Sequence, residues 1–181
     1  MREIEIKVRV QSEEDLLLKF ASVGVVLTAP VKHHDVVYGE KGAFGGELGS
    51  RWLRVRTEND SRVIFNLKRS VTGQLDSIEH EVVVDNADEI RAIIAELGFE
   101  LYSDLTKTRQ KGKVGDVELC FDKVEGLGVF LELEKLVDQD AQADSVLEEL
   151  WKIAASLGLS RDDNVTDGYD VLMRKALNSS V

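Results

Sequence analysis

Cysteine, proline and long apolar segments are scarce in this chain of 181 residues. Cys120 is the only cysteine, so an intrachain disulfide is excluded and a reducing compartment is expected. Apolar runs fall short of the ~20 residues that span a membrane. The N-terminal stretch MREIEIKVRV also has no apolar region of a signal peptide. We therefore expect a cytoplasmic protein without a membrane partner.

Positive charge is also in short supply. The sequence has 23 Lys and Arg against 34 Asp and Glu, which gives a formal net charge of −11. Nucleic acid is therefore not expected as a partner, and an anionic ligand needs a local cluster of cations or bound metal ions. Hydrophobic residues make up 43%, enough for a core, and no repeat or linker divides the chain. We expect a single domain over residues 1–181.

Alternation of apolar and polar residues predicts that most of the chain forms strands. Residues 2–10 alternate strictly, and similar patterns recur between turn signals. The predicted strands lie near 2–10, 25–38, 51–57, 62–68, 78–84, 100–111, 114–123 and 128–137. Helices are predicted near 13–23, 86–97, 143–157 and 167–177, with a turn over 69–76. Short strands of this kind favour a barrel or a sandwich.

The polar face of nearly every predicted strand is charged, mostly with like charges two residues apart. The pairs are Glu3 and Glu5, Arg54 and Arg56, Glu79 and Glu81, Lys107 and Arg109, and Glu132 and Glu134. Any one pair is ordinary on a solvated face, but like charges so close are costly without a counter-ion between them. The whole set therefore favours an α+β fold: a closed eight-stranded antiparallel β-barrel, or tunnel, with a charged interior and helices packed on the outside.

The order of these charged elements resembles the CYTH family, also called triphosphate tunnel metalloenzymes. The run Glu3-Ile-Glu5-Ile-Lys7 looks like the ExExK signature of that family. The later elements follow in the family's order over essentially the whole chain: Arg54-Val-Arg56, Lys68, Glu79-His-Glu81, Lys107-Thr-Arg109, Asp122, Glu132-Leu-Glu134 and Asp167-Gly-Tyr169. The run VEGLG at 124–128 and the short length look most like the class IV adenylyl cyclase branch, although triphosphatases share most of these motifs.

The resemblance implies a metal-dependent enzyme with a triphosphate substrate. Its implied ligands for Mg²⁺ or Mn²⁺ are Glu3, Glu5, Asp122, Glu132 and Glu134, with Glu79 and Glu81 either balancing the bases or binding metal. Lys7 is implied to position or activate the nucleophile. The implied triphosphate-binding cations are Arg9, Arg54, Arg56, Lys68, Lys107 and Arg109.

Three functions remain open from the sequence. An adenylate cyclase converts ATP to cyclic AMP and pyrophosphate; a triphosphatase hydrolyses inorganic triphosphate, thiamine triphosphate or a nucleotide; a sensor binds triphosphate or polyphosphate without catalysis. We favour the cyclase, because Tyr38 is displaced by one residue from the family's D-x-Y pattern and is badly placed to help Lys7 activate water. The substrate and the oligomeric state, including a homodimer, stay open.

Weaker signals are given structural roles. The glycine-rich segment 42–49 lacks the GxxxxGK[ST] pattern of a P-loop, so we expect a connection or a lid over the tunnel mouth. His33, His34 and His80 fit no common metal-ligand spacing. Trp52 is assigned to packing, with stacking on a base as a minor alternative. Gly168 stands where the family usually has serine.

Overall fold

The computed structural model describes residues 2–42, 49–73 and 75–178. Its strands are β1 (Arg2–Arg9), β2 (Val31–Glu40), β3 (Arg51–Glu58), β4 (Arg62–Gly73), β5 (Asp76–Val84), β6 (Phe99–Val114), β7 (Val117–Val124) and β8 (Gly128–Val137). Its helices are α1 (Glu13–Ser22), α2 (Ala87–Glu96), α3 (Ala143–Ser156) and α4 (Tyr169–Asn178), with a short 3₁₀ turn at Arg161–Asp163.

The eight strands form a closed antiparallel barrel in the order β1-β5-β4-β3-β2-β6-β7-β8. Successive side chains of a strand point to opposite faces, so the pairing registers place the charged positions together inside the barrel. In β1, for example, Glu5 lies opposite Glu134 and Lys7 opposite Glu132 of β8. The predicted fold class is therefore confirmed.

Three helices cover the apolar outer face of the barrel. On one side α1 and α3 pack on β1, β7 and β8, where Ile4, Leu119 and Leu133 are fully buried. On another side Ile94 of α2 packs on Leu53 and Val55 of β3. The helix starts follow ordinary capping chemistry, as the Ser12 hydroxyl accepts a hydrogen bond from the Asp15 amide and Asn86 caps α2.

Helix α4 differs from the other three because its first turn lines the barrel cavity. Tyr169 packs on Phe130 and Leu105, while Val171 packs on Trp52 at the edge of the same cavity. An extra residue in β6 near Tyr102 shifts the register against β2, so Tyr102 turns toward Trp52.

The predicted turn over 69–76 is wrong for most of its length. Strand β4 continues to Gly73 and β5 already begins at Asp76. Asp76 is buried and accepts hydrogen bonds from Arg2 and from the Thr72 hydroxyl, which gives these polar residues partners inside the sheet. Within the described part of the chain, none of the helices has the length and apolar character needed to cross a membrane.

Candidate functional site: a charged cavity in the barrel

The barrel encloses a cavity of ≈ 380 Å³, within the range of pockets that take small-molecule ligands. Each of the eight strands contributes to its wall. The predicted site residues that line it are Glu3, Glu5, Lys7, Arg54, Arg56, Lys68, Glu79, Glu81, Lys107, Arg109, Glu132 and Glu134. The alternation of the strands therefore brings most of the predicted residues together.

Three carboxylates meet at one side of this cavity. Glu3 and Glu5 of β1 and Glu134 of β8 each place one oxygen within 4.8 Å of the other two. Glu5 and Glu134 are direct neighbours across the strand pair, which fixes this arrangement through the backbone register. Oxygen ligands at this spacing suit a hard divalent cation such as Mg²⁺ or Mn²⁺.

The same three carboxylates bind protons unusually tightly. Burial, together with repulsion from Glu134, raises the pKa of Glu3 to about 9. Burial and Glu132 raise the pKa of Glu5 to about 7, and burial and Glu132 also raise the pKa of Glu134. Crowded acids of this kind hold either protons or a metal ion, so the cluster fits a divalent cation.

Lys7 is almost fully enclosed beside the acidic cluster. Its Nζ lies 3.2 Å from Glu132 Oε1 and donates a hydrogen bond to the Asp167 carbonyl at 3.1 Å. Its ammonium also lies 4.3 Å from the centre of the Tyr169 ring. Glu132 in turn pairs with Arg109, so this predicted metal ligand is held by two cations in the structure.

Asp122 does not reach the acidic cluster. Its two oxygens accept hydrogen bonds from Lys107 at 2.9 Å and from Arg109 at 2.7 and 2.5 Å, and its side chain is fully buried. Burial alone would raise the pKa of Asp122, but Lys107 and Arg109 lower it. The structure thus places Asp122 behind the phosphate-binding candidates rather than with Glu3, Glu5 and Glu134.

Arg54 is the most available of the predicted phosphate-binding cations. It lines the cavity, forms no ion pair with any residue that the structure describes, and its Nε is buried without a hydrogen-bond partner there. Nearby, Lys68 pairs with Glu79 at 3.1 Å. Burial would raise the pKa of Glu79, but Lys68 and Arg54 lower it to about 2. Glu79 therefore stays ionised and balances these bases.

Arg56 has a structural partner that the sequence analysis did not assign. Its guanidinium donates two hydrogen bonds to Asp35, at 2.7 and 2.8 Å, and both side chains are buried. Burial would raise the pKa of Asp35, but Arg56 holds it far below its usual range. Arg56 lines the cavity with much of its charge already compensated.

Arg9 and Tyr38 both lie away from the cavity. Arg9 donates a hydrogen bond to the Leu127 carbonyl at 2.8 Å and stacks over Phe130, and it is not part of the cavity wall. Tyr38 lies on the outer face of β2, packed in the cluster around Leu53 and Ile94. The expectation that Tyr38 points away from Lys7 is therefore confirmed.

The sequence analysis missed Lys111 and Glu118 as cavity residues. Both line the wall, and their side chains form an ion pair. Lys111 lies two residues beyond Arg109, and Glu118 lies on the same strand face as Cys120 and Asp122. Extending the alternation by one step from Arg109 and by two steps from Asp122 would have found both residues.

The weaker sequence signals have ordinary surroundings. The buried His33 lies beside Glu58, and burial and Arg56 lower its pKa to about 3, so it is neutral. Trp52 is buried against Tyr102, with 4.7 Å between ring centres. Its indole fills the space that a side chain at Gly39, on the neighbouring strand, would need. Residues 43–48 of the glycine-rich segment lie outside the described residues, so the lid expectation stays a prediction.

The fold and the site define a closed-barrel protein whose cavity combines an acidic cluster with enclosed arginines and lysines. Residues 1–169 match the model of the CYTH domain. The chain therefore belongs to the CYTH family.

Two of the similar proteins are archaeal. A Methanocaldococcus jannaschii protein named "Putative adenylate cyclase MJ0240" is 29% identical over 171 residues, which cover 93% of this chain and 97% of that protein. The solved structure of the PH1012 protein from Pyrococcus horikoshii OT3 has a TM-score of 0.80 at 24% identity, with 94% of this chain and 99% of that chain covered.

A plant protein from Hippeastrum, HpAC1, shares the fold at greater distance. Its TM-score is 0.61 at 17% identity, with 93% of this chain and 91% of that chain covered, and a dominant triphosphatase activity is described for it.

Proposed function

We propose that this protein is a metal-dependent enzyme that binds the triphosphate group of ATP in the barrel and converts ATP to cyclic AMP and pyrophosphate. The observation that carries the proposal is that one cavity holds three mutually repelling carboxylates and an arginine, Arg54, that forms no ion pair with any described residue. The carboxylate cluster and the arginine each need a partner of opposite charge. A divalent cation bound to a polyphosphate supplies both.

Glu3, Glu5 and Glu134 are the proposed metal ligands. A bound Mg²⁺ or Mn²⁺ would neutralise phosphate charge and polarise a phosphoryl oxygen. Glu132 and Asp122, which the sequence also suggested, are proposed instead to hold Lys7, Lys107 and Arg109 in place, because their oxygens already accept from these cations.

Arg54, Lys68, Lys107 and Arg109 are the proposed phosphate-binding groups. Arg54 forms no ion pair with any described residue and its buried Nε has no hydrogen-bond partner among them, so it gains most from a phosphate. Lys107 gains as well, because burial and Arg109 lower its pKa and an anion would offset that cost. Catalysis of phosphoryl transfer rests mainly on such positioning and charge neutralisation.

In the proposed reaction the ribose 3′ hydroxyl attacks the α-phosphorus. A new oxygen–phosphorus bond forms, the bond from the α-phosphorus to its bridging oxygen breaks, the hydroxyl proton is released and pyrophosphate leaves. Lys7 is proposed to orient the nucleophile, since its ammonium is fixed by Glu132 and the Asp167 carbonyl. A cyclase needs no activated water, which agrees with the outward position of Tyr38.

Triphosphate hydrolysis is the second candidate. The same cations and carboxylates suit inorganic triphosphate or thiamine triphosphate, and the Hippeastrum protein with this fold is described as mainly a triphosphatase. A sensor without catalysis has less support, because binding a phosphate chain requires the bases but not a separate cluster of acids.

Product analysis separates the candidates. The purified protein is incubated with ATP, inorganic triphosphate or thiamine triphosphate, each with Mg²⁺ or Mn²⁺. The cyclase proposal expects cyclic AMP and pyrophosphate in equal amounts from ATP. Formation of ADP and orthophosphate alone, or far faster turnover of inorganic triphosphate, would replace it with the triphosphatase. Tight triphosphate binding without any turnover would leave the sensor.

A further inference from the structure

Tyr169 brings an aromatic ring to two of the buried lysines of the site. The ring centre lies 4.3 Å from Lys7 Nζ and 4.6 Å from Lys107 Nζ. Tyr169 itself is buried and packs edge-on against Phe130, with 5.2 Å between ring centres. Two ammonium groups therefore share one tyrosine ring inside the barrel.

The segment before α4 fixes this ring relative to Lys7. Strand β5 pairs with β1 only from Arg2 to Ile4, which leaves the later part of β1 open on that side. Asn164 bridges to Val8 at this open edge, and the Val165 amide donates to the Lys7 carbonyl at 2.8 Å. The Asp167 carbonyl then accepts from Lys7 Nζ. Backbone and side chain of Lys7 are thus both tied to the chain that presents Tyr169.

The ring, rather than the hydroxyl, faces the two cations. An ammonium within about 6 Å of a ring centre is attracted by the ring's quadrupole, and the attraction grows when water is excluded. The Tyr169 hydroxyl is buried and has no hydrogen-bond partner of normal geometry among the described residues. Burial, Glu132 and Asp122 raise the hydroxyl's pKa well above its usual value, so the phenol stays neutral.

We propose that the aromatic ring of Tyr169 is a positioning element that holds the ammonium groups of Lys7 and Lys107 in place for catalysis. The catalytic part of this inference rests on the proposed function, in which Lys7 orients the nucleophile. The structural part is independent of the proposed function, because the ring limits the positions of the Lys7 ammonium whatever reaction the site performs.

Three variants test the catalytic part. Tyr169→Leu removes the quadrupole but keeps an apolar side chain, and we expect kcat to fall about tenfold or more while KM changes by less than about threefold. Tyr169→Phe retains the ring and is expected to keep kcat within about threefold of the parent. Val171→Ala loosens the same helix without touching Lys7, and it is expected to retain the parent kcat.

Two results would overturn the catalytic part. Equal losses in Tyr169→Phe and Tyr169→Leu would assign the role to the hydroxyl. An equal loss in Val171→Ala would show that docking of α4, and not the ring, matters.

A chemical measurement tests the structural part without any substrate. The parent and the variants are treated briefly with acetic anhydride, and acetylation of Lys7 is measured by peptide mass spectrometry with the exposed Lys152 as internal standard. Lys7 is expected to stay protected in the parent, Tyr169→Phe and Val171→Ala and to react in Tyr169→Leu. Equal protection in all four proteins would refute positioning by the ring. If Lys7 reacts only in Tyr169→Leu, as expected, but the parent shows no turnover of any triphosphate, the proposed function is refuted and positioning by the ring is supported.

Discussion

Arg54 offers the sharpest residue-scale test of the phosphate site. Its Nε is buried and unpartnered among the described residues, and under the proposed function a phosphate oxygen supplies the acceptor. We expect Arg54→Ala to weaken substrate binding by about 1.5–3 kcal/mol, the usual contribution of a charge-assisted hydrogen bond. Calorimetric titration with a non-hydrolysable ATP analogue measures this. The outward-facing Arg69→Ala is the control, and equal affinities in the two variants would remove Arg54 from the site.

Arg56 is expected to behave differently from Arg54. Its substitution by alanine leaves the buried Asp35 carboxylate without its bidentate partner. We expect Arg56→Ala to lower the free energy of unfolding by about 3–5 kcal/mol, as when one partner of a buried ion pair is removed. Urea unfolding measures the change, and the double variant with Asp35→Asn should recover part of it. A loss below 1 kcal/mol, the range of exposed pairs, would contradict the structural role.

Glu134 tests the proposed metal site, because its carboxylate joins Glu3 and Glu5 in the acidic cluster. We expect Glu134→Ala to lower turnover roughly 100-fold and to weaken Mn²⁺ binding, since a ligand and its charge are removed. Excess chelator should abolish turnover of the parent. The exposed Glu125→Ala serves as the matched control. Full activity in chelator would exclude the metal-dependent mechanism.

At the scale of elements, the pairing between β1 and β5 is the shortest strand pairing of the barrel. The two strands pair over only three positions, and the buried pair of Arg2 and Asp76 joins them at 2.8 and 3.0 Å. Arg2 also donates to the carbonyls of Gln139 and Ala141, which ties the chain leading to α3 to the same point. This one side chain therefore links three parts of the fold.

We expect Arg2→Ala to cost about 3–5 kcal/mol of unfolding free energy, because Asp76 would remain buried without its cation. Thermal and urea unfolding measure the loss. Lys32→Ala, which removes an exposed pair with Asp60, is the control and should cost less than about 1 kcal/mol. A similarly small loss of unfolding free energy in both variants would show that the pairing of β1 with β5 does not depend on Arg2.

The elements themselves were largely predictable from the sequence. Strict alternation located β1, and helices were predicted near the observed positions of α1 and α2, which the structure shows to be capped by Ser12 and Asn86. The segment between β4 and β5 was not predictable, because Ser70, Thr72 and Asp76 are typical turn residues. In the structure β4 and β5 continue their pairing through this segment, and Arg2, distant in sequence, supplies the buried Asp76 with a partner.

At the scale of the whole molecule, the acidic cluster makes stability depend on pH, and a metal ion bound there would change that dependence. The pKa of Glu3 is about 9 and that of Glu5 about 7 in the metal-free fold, both above the usual carboxylate range near 4.5. The folded state therefore keeps protons that the unfolded chain has lost. This contribution to stability is complete below pH ~4.5 and is lost as the pH rises through about 7 and then 9.

A divalent cation bound at the proposed site would reverse this dependence, since it would bind the deprotonated carboxylates. We expect the stabilisation by a fixed Mn²⁺ concentration, measured as the shift of the melting temperature, to grow between pH 6 and 9. At pH 7 binding should release about one to two protons, because Glu3 is protonated and Glu5 about half protonated in the metal-free fold. Calorimetry in buffers of different ionisation enthalpy detects this release. The variant Glu3→Gln should show a flatter dependence. A metal-induced shift independent of pH would contradict binding at this cluster.

The sequence by itself determined the barrel, the charged interior and the residues that line most of the cavity. Its period of two fixes which side chains share a face, and like charges repeated on strand after strand need an enclosed counter-charge. The tertiary structure alone decided which charges pair. Strand register places Glu5 beside Glu134 and lets Lys107 and Arg109 donate hydrogen bonds to Asp122. It also leaves Arg54 Nε without a hydrogen-bond partner among the described residues. Helix α4 places the Tyr169 ring next to Lys7. Such pairings depend on distances between strands far apart in the chain, which no local pattern encodes.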